Sequence, residues 1–159
     1  MRQYGQEREV EPVVMTALVF RAGPLLCALR LEEVIETMRP LETQPLAGTP
    51  PFVLGISVLR GVPTPVIDVG RLLRGDQGEA ERYVAVRTER GAVALATGEI
   101  IGIRSVDTTT GAHPALLGGR SSRLVAGVGT VGAEPLLLLQ SMRAVPDDVW
   151  EAAASAGVP

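Results

Sequence analysis

The sequence contains no lysine and no asparagine, a single cysteine, a single histidine and only 3% aromatic residues. Each shortage closes off a class of chemistry. Without lysine there is no amine for Schiff-base catalysis; all fifteen cations are arginine, a coding bias to which no function is assigned. One cysteine cannot close an internal disulfide, and Cys27 lies in the apolar run Leu25–Leu31, where a small thiol serves as core. His113 precedes Pro114 in a Gly/Thr-rich stretch, with no cysteine partner or second histidine at metal-ligand spacing, so an exposed loop residue is expected there and no metal. No uninterrupted apolar run approaches the ~18 residues of a membrane span. The polar start Arg2–Glu11 is unlike a secretory signal, and a cytoplasmic protein is expected. A net charge of −3 and a pI near 5.2 offer no general attraction to nucleic acid or anionic lipid.

What the chain does have is aliphatic residues: 46% hydrophobic, with a mean hydropathy of +0.24. A core of Val, Leu, Ile and Ala favours strands. A length of 159 residues suits one domain or two small subdomains, burying roughly 70% of the unfolded surface.

The chain repeats itself. Leu18-Val-Phe-Arg21 and Cys27-Ala-Leu are echoed by Val84-Ala-Val-Arg87 and Val93-Ala-Leu, and Glu33-Val34-Ile35 by Glu99-Ile100-Ile101, all at an offset of 66. Val53-Leu-Gly55 resembles Val125-Ala-Gly127 at an offset of 72, and Pro65-Val-Ile-Asp-Val resembles Pro135-Leu-Leu-Leu-Leu at 70. Three segments recurring in one order indicate a duplicated unit of roughly seventy residues. Each unit holds several short β-type runs broken by Gly, Pro and Arg-Gly, the pattern of a small closed or nearly closed barrel. The boundaries read as a flexible start at 1–12, a first barrel at 13–74 and a second at 82–145, separated by the polar link Gly75–Glu81. The fold class is therefore all-β, with a groove between the barrels as the natural place for a partner.

Helix is expected only at the end of the chain. Pro146 suits a first turn, Asp147 and Asp148 favour its positive end, Gly157 suits the cap, and Val149, Trp150 and Ala153 share one face. Trp150 in that place docks the helix, at 146–157, onto its own fold. Leu31–Met38 has a helical option, but its echo Thr97–Ile103 carries glycines and β-branched residues, so Val34–Met38 is assigned to strand.

No catalytic constellation is present. Gly127-Val-Gly129-Thr-Val-Gly132 formally meets the dinucleotide fingerprint, yet a turn and four leucines follow where that fingerprint needs a helix. The glycines fit bends in a tight barrel better. The most informative stretch is Phe52–Asp68, where the β-type runs Phe52–Leu59 and Val66–Val69 flank Arg60-Gly61. Arg60 either lays its stem along neighbouring strands or offers a planar five-donor fork to a partner. Copy two carries Gly132 at the equivalent turn, so the barrel does not require the arginine, which favours the partner.

Leu18-Val-Phe, Leu31-x-x-Val34-x-Glu36, Pro51-Phe-Val-Leu-Gly55-Ile-x-x-Leu59-Arg60-Gly61 and Pro65-Val-Ile-Asp68 together resemble the CheW coupling proteins of bacterial chemosensory arrays. The match continues through Val125-Ala-Gly127-Val and Leu136–Leu139 and covers nearly the whole chain. The resemblance implies two five-stranded SH3-like barrels that scaffold and do not catalyse, with no cofactor. It implies two partners: the cytoplasmic tip of a methyl-accepting chemoreceptor, and the regulatory domain of a CheA-type histidine kinase. The receptor hairpin would lie in the groove against Val34, Glu36, Gly55, Val58, Leu59, Arg60, Ile100 and Ile103. The kinase would meet a barrel end near Leu41, Leu46, Val62 and Thr64. The family usually carries asparagine where Val58 stands and often aspartate at Gly98, which points to an accessory or divergent system. Two other classes fit the residues: a barrel-pair interaction module outside chemosensing, and a nucleotide-binding enzyme resting on Gly127–Gly132.

Overall fold

The computed structural model describes residues 12–74, 78–110, 124–140 and 145–156. The candidate loop histidine His113, the N-terminal stretch before Pro12, Gly75–Gln77 of the link and the cap Gly157 lie outside the described residues. The strands are β1 (Pro12–Ala22), β2 (Leu25–Arg30), β3 (Val34–Met38), β4 (Val53–Leu59), β5 (Val62–Asp68), β6 (Arg82–Thr88), β7 (Gly91–Thr97), β8 (Ile100–Thr110), β9 (Val125–Val131) and β10 (Glu134–Leu139). Helix α1 (Val69–Arg74) follows β5, helix α2 (Asp147–Ala156) ends the described chain, and a single 3-10 turn, Leu31–Glu33, precedes β3.

Strands β1-β2-β10-β9-β8 close into one barrel, and β3-β6-β7-β5-β4 form a second five-stranded sheet. This corrects the expected boundaries. Residues 13–74 do not make one barrel and 82–145 the other; under the duplication β1–β5 correspond to β6–β10, and each sheet takes the leading hairpin of one copy and the last three strands of the other. In each sheet the copies meet at one parallel joint, β10 beside β2 or β5 beside β7, and one antiparallel joint, β1 beside β8 or β3 beside β6. The hairpins explain the exchange. Leu18–Phe20, Leu26–Leu29, Tyr83–Val86 and Val93–Ala96 are buried at every position, so both faces of these strands need cover. Such continuous burial is the mark of a strand sandwiched between layers.

One face fills its own barrel, as Ala17, Val19, Leu26 and Ala28 do with Val106, Leu136 and Leu138. The other face enters a core shared by both sheets, where Leu18, Phe20, Cys27 and Leu29 meet Val84, Val86, Val93 and Leu95. These are the same four positions of the two copies, and each fully buried aliphatic side chain contributes roughly 1.5–3 kcal/mol. The copies are interlocked, and neither half holds a complete sheet.

The pairing also corrects the alignment of the copies. Leu59 faces Val62, as Val131 faces Glu134, so the hairpins β4–β5 and β9–β10 correspond at an offset of 72 throughout. Pro63, not Pro65, is the counterpart of Pro135. Even the irregularities repeat: Val34 and Glu36 oppose the neighbours Val86 and Ala85, and Ile100 and Gly102 oppose Phe20 and Val19. The bulged residues, Ile35 and Ile101, are equivalent.

The apolar run to Val69 is not all strand. β5 ends at Asp68, whose Oδ1 accepts the Arg71 backbone N–H at 3.1 Å and so caps α1. At the far end Val149 and Ala153 are buried, and the Arg90 guanidinium lies 5.6 Å from the centre of the Trp150 ring. Arg90 Nη1 also donates to Asp147 Oδ1 at 2.7 Å, joining α2 to the β6–β7 turn.

Candidate functional site

The β4–β5 turn carries the site. Arg60 and Gly61 both adopt left-handed backbone, with φ of 52° and 81°. A two-residue hairpin with both central residues at positive φ matches the right-handed twist of its strands and ordinarily takes Asn, Asp or Gly. Arg60 is the sole non-glycine in that region among the described residues, a placement that costs roughly 1–2 kcal/mol in an L-residue. The equivalent Gly132 adopts φ 60° without a side chain. Backbone tension therefore accompanies the arginine in this turn and is avoided in its duplicate.

Its side chain is held. Arg60 Nε donates to Glu36 Oε2 at 2.6 Å, and Nη2 donates to Oε1 at 2.8 Å, a forked geometry that fixes both planes. The hydrogen bonds from Arg60 hold the Glu36 carboxyl below its usual range, and Glu36 in turn raises the guanidinium. Arg60 remains 75% exposed while Glu36 is 26% exposed, so the fork is anchored on one side and open on the other. Glu36 comes from β3 and Arg60 from the end of β4, the two outer strands of the second sheet. In the first barrel the equivalent positions are Gly102 and Gly132.

The other expected groove residues divide. Val58 is exposed beside the turn at 66%, and Leu59 is half-buried. Ile103 is exposed on β8 of the first barrel. Val34 and Ile100 pack against the shared core from opposite sheets. The bulge at Ile35 turns Glu36 to the same face as Met38, away from Val34, so Glu36 and Val34 do not form one wall. Gly55 is a correction: it is buried under the Gln44–Pro45 chain with φ 141°, and a Cβ there would overlap the Gln44 carbonyl. Its task is to let that chain approach.

Of the residues expected at the barrel end, Val62 is 57% exposed. Leu41 and Leu46 are half-buried against the apolar clusters. Thr64 is also a correction, because it is buried inside the sheet with its hydroxyl donated to Val62 O at 2.9 Å. At Gly98 the Arg21 carbonyl lies 3.0 Å from where a Cβ would stand, which leaves little room for a side chain.

A hollow of about 660 Å³ lies elsewhere, between the β1–β2 turn and the start of β6, lined by Arg21, Asp68, Glu79, Glu81 and Glu99 among others. Among the described residues no group of three or more His, Cys, Asp or Glu could hold a metal ion. Gly127 and Gly129 lie within β9, and Gly132 turns directly into β10, so the run is strand, turn and strand. Gly129 packs without a Cβ against Asp107 and Thr108, the close approach that seals the first barrel. No helix of the described residues is long and apolar enough to cross a membrane.

The chain is thus a pair of interlocked five-stranded units, one of them a closed barrel, with an exposed arginine clamped at one hairpin turn. Residues 16–148 match the CheW-like domain family, and the chain belongs to it. It is 29% identical over 114 residues to Protein FrzA of Myxococcus xanthus, an alignment covering 69% of this chain and 70% of that protein. The scaffolding protein TtCheW from Thermoanaerobacter tengcongensis has the same fold, with a TM-score of 0.69 at 19% identity, covering 82% of this chain and 91% of that one.

Proposed function

We infer that this protein couples the cytoplasmic tip of a chemoreceptor to the regulatory domain of a CheA-type histidine kinase, acting by binding alone in the cytoplasm and recruited to receptor arrays. The observation that carries this reading is Arg60. It occupies a costly left-handed turn, is aimed by Glu36, stands exposed, and has glycine as its counterpart in the duplicate barrel. The duplicate turn closes with glycine, and a partner role accounts for the arginine in this one. The receptor contact is assigned to Arg60, Glu36, Val58 and Leu59, with Ile103 on the first barrel. The kinase contact is assigned to the end of the second barrel that presents Val62. The receptor is of an accessory or divergent kind, suited to Val58 where the family usually places asparagine.

Co-sedimentation of the full chain with the receptor tip and CheA tests this. Wild type is expected to join the pellet with both, and Arg60→Ala to bind the receptor tip about tenfold more weakly, the usual effect of losing a charged hydrogen-bonding anchor. Wild type that joins neither partner overturns the coupling reading. Unchanged receptor binding by Arg60→Ala overturns the site.

A further inference from the structure

The first sheet closes into a barrel through a ladder between its outer strands, whereas β3 and β4 of the second share none. In the first, β8 runs its full length, and its outer end, Asp107–Thr110, is laddered to β9 over four residue pairs. At the offset of 66, Leu41–Gln44 are the counterparts of that outer end. They are severed from β3 by Pro40, which stands where β8 continues through the buried Val106. Proline brings no N–H to a ladder, and Pro45 stops the segment on its other side. The segment is an outer half-strand detached from its inner half.

What holds it is small in number and mostly polar. Gln44 N–H donates to Ile56 O at 2.8 Å, and Ile56 N–H donates to Gln44 O at 2.9 Å, as an isolated bridge. Thr43 Oγ1 lies 2.7 Å from Ser57 Oγ and 2.8 Å from Tyr83 Oη, and Ser57 Oγ donates to Glu42 O at 2.9 Å. Leu41 rests half-buried against the cluster around Val66 and Tyr83. Ile56 and Ser57 belong to β4, four and three residues before Arg60. A further link across the seam is the Arg60–Glu36 fork, made by side chains alone.

We propose that Leu41–Gln44 is a releasable strap that closes the second barrel and, through Ile56 and Ser57, sets the Arg60 turn against Glu36, so that its opening regulates the partner site. The regulation rests on the reading of Arg60 as a partner contact; the strap itself does not. A segment held by one bridge and a hydroxyl trio opens locally at lower free energy than a four-pair ladder in a closed barrel.

Hydrogen exchange on the full chain tests the strap without any partner. Peptides covering Gln44 and Ile56 are expected to exchange at least about tenfold faster than those covering the β8–β9 ladder. Thr43→Val, similar in shape but without the hydroxyl, speeds the seam several-fold and leaves β8–β9 unchanged. Pro40→Val, which copies the residue of the first barrel, slows it. Equal protection of the two seams overturns the strap. Titration with the receptor tip then tests regulation: Thr43→Val and Pro40→Val should each shift affinity at least threefold, in opposite directions. Unchanged affinity in both, beside a tenfold loss in Arg60→Ala, overturns the regulation and leaves the site standing. No loss in Arg60→Ala overturns the site, and the exchange rates still decide the strap.

Discussion

Arg60 grips both carboxylate oxygens of Glu36 across the seam between β3 and β4, where the equivalent seam of the first barrel is sealed by backbone pairing and carries glycine at both positions. The duplication acts as an internal control. The first barrel closes this seam by backbone pairing and needs neither charged group; in the second the fork crosses a seam that lacks that ladder, and under the proposed function it also presents Arg60 to a partner. An exposed ion pair contributes little to stability in general, which agrees with a role in presentation.

That control gives a prediction of opposite signs. Arg60→Gly places in the second turn the residue that the first barrel uses, removing the left-handed strain and the fork together. Thermal melting should show a midpoint unchanged or raised, while receptor-tip affinity falls about tenfold or more, as for Arg60→Ala. A variant that melts clearly lower would show that the arginine serves the fold.

Gly55→Ala is expected to destabilise strongly. The residue combines φ 141° with direct contact against the Gln44 chain, so alanine meets both a forbidden backbone and an overlap with main-chain atoms that cannot swing aside. A loss of about 3 kcal/mol or more in urea unfolding is expected. Rapid exchange at Gln44 and Ile56 should accompany it if the remaining fold survives. Wild-type stability would refute the packing assigned to this position.

The sequence made the strands, the duplication and the arginine turn legible, because aliphatic runs, repeated spacing and Arg-Gly are local signals. The pairing partners were not local. Nothing in Leu18–Phe20 or Val84–Val86 tells which copy their second face will meet, and so the interlocked sheets escaped the expectation of two consecutive barrels. The two-residue slip that matched Pro65 with Pro135 arose because runs of Val, Ile and Leu align in several registers, and the turns settle it. Thr64 and Gly55 were expected at a surface; only the folded chain shows one inside the sheet and the other beneath Gln44. Helix α1 was hidden because Val69 extends a β-branched run, and its start depends on the Asp68 cap.

Cys27 occupies the shared core at the position of Val93, fully buried, and burial pushes its thiol up to about 12. The folded protein should therefore resist Ellman's reagent at pH 8 and react fully once denatured. Cys27→Val, which copies the counterpart residue, should alter stability by less than about 1.5 kcal/mol. Cys27→Ser should cost about 1–3 kcal/mol by burying a hydroxyl among aliphatic neighbours. Fast labelling of the native protein would contradict the shared core.

Asp68 gives a pH-dependent test of the helix that follows β5. Its carboxyl is raised above the ordinary value of 3.8 chiefly by burial, an effect only partly offset by the hydrogen bond and charge of Arg71 and by the Gly70 backbone. A group whose folded value is raised adds stability in its protonated form: the contribution is complete below the unfolded value and is lost as pH rises through the folded one. Wild type should therefore lose stability relative to Asp68→Asn as pH rises from about 3 to neutrality, because asparagine keeps the capping acceptor and carries no charge. At neutral pH Asp68→Asn should be within about 0.5 kcal/mol of wild type or better, whereas Asp68→Ala should cost about 1 kcal/mol through loss of the cap. Urea unfolding of the three proteins across that range checks both statements. A wild-type advantage over Asp68→Asn that grows with pH would mean that the Arg71 pairing outweighs burial.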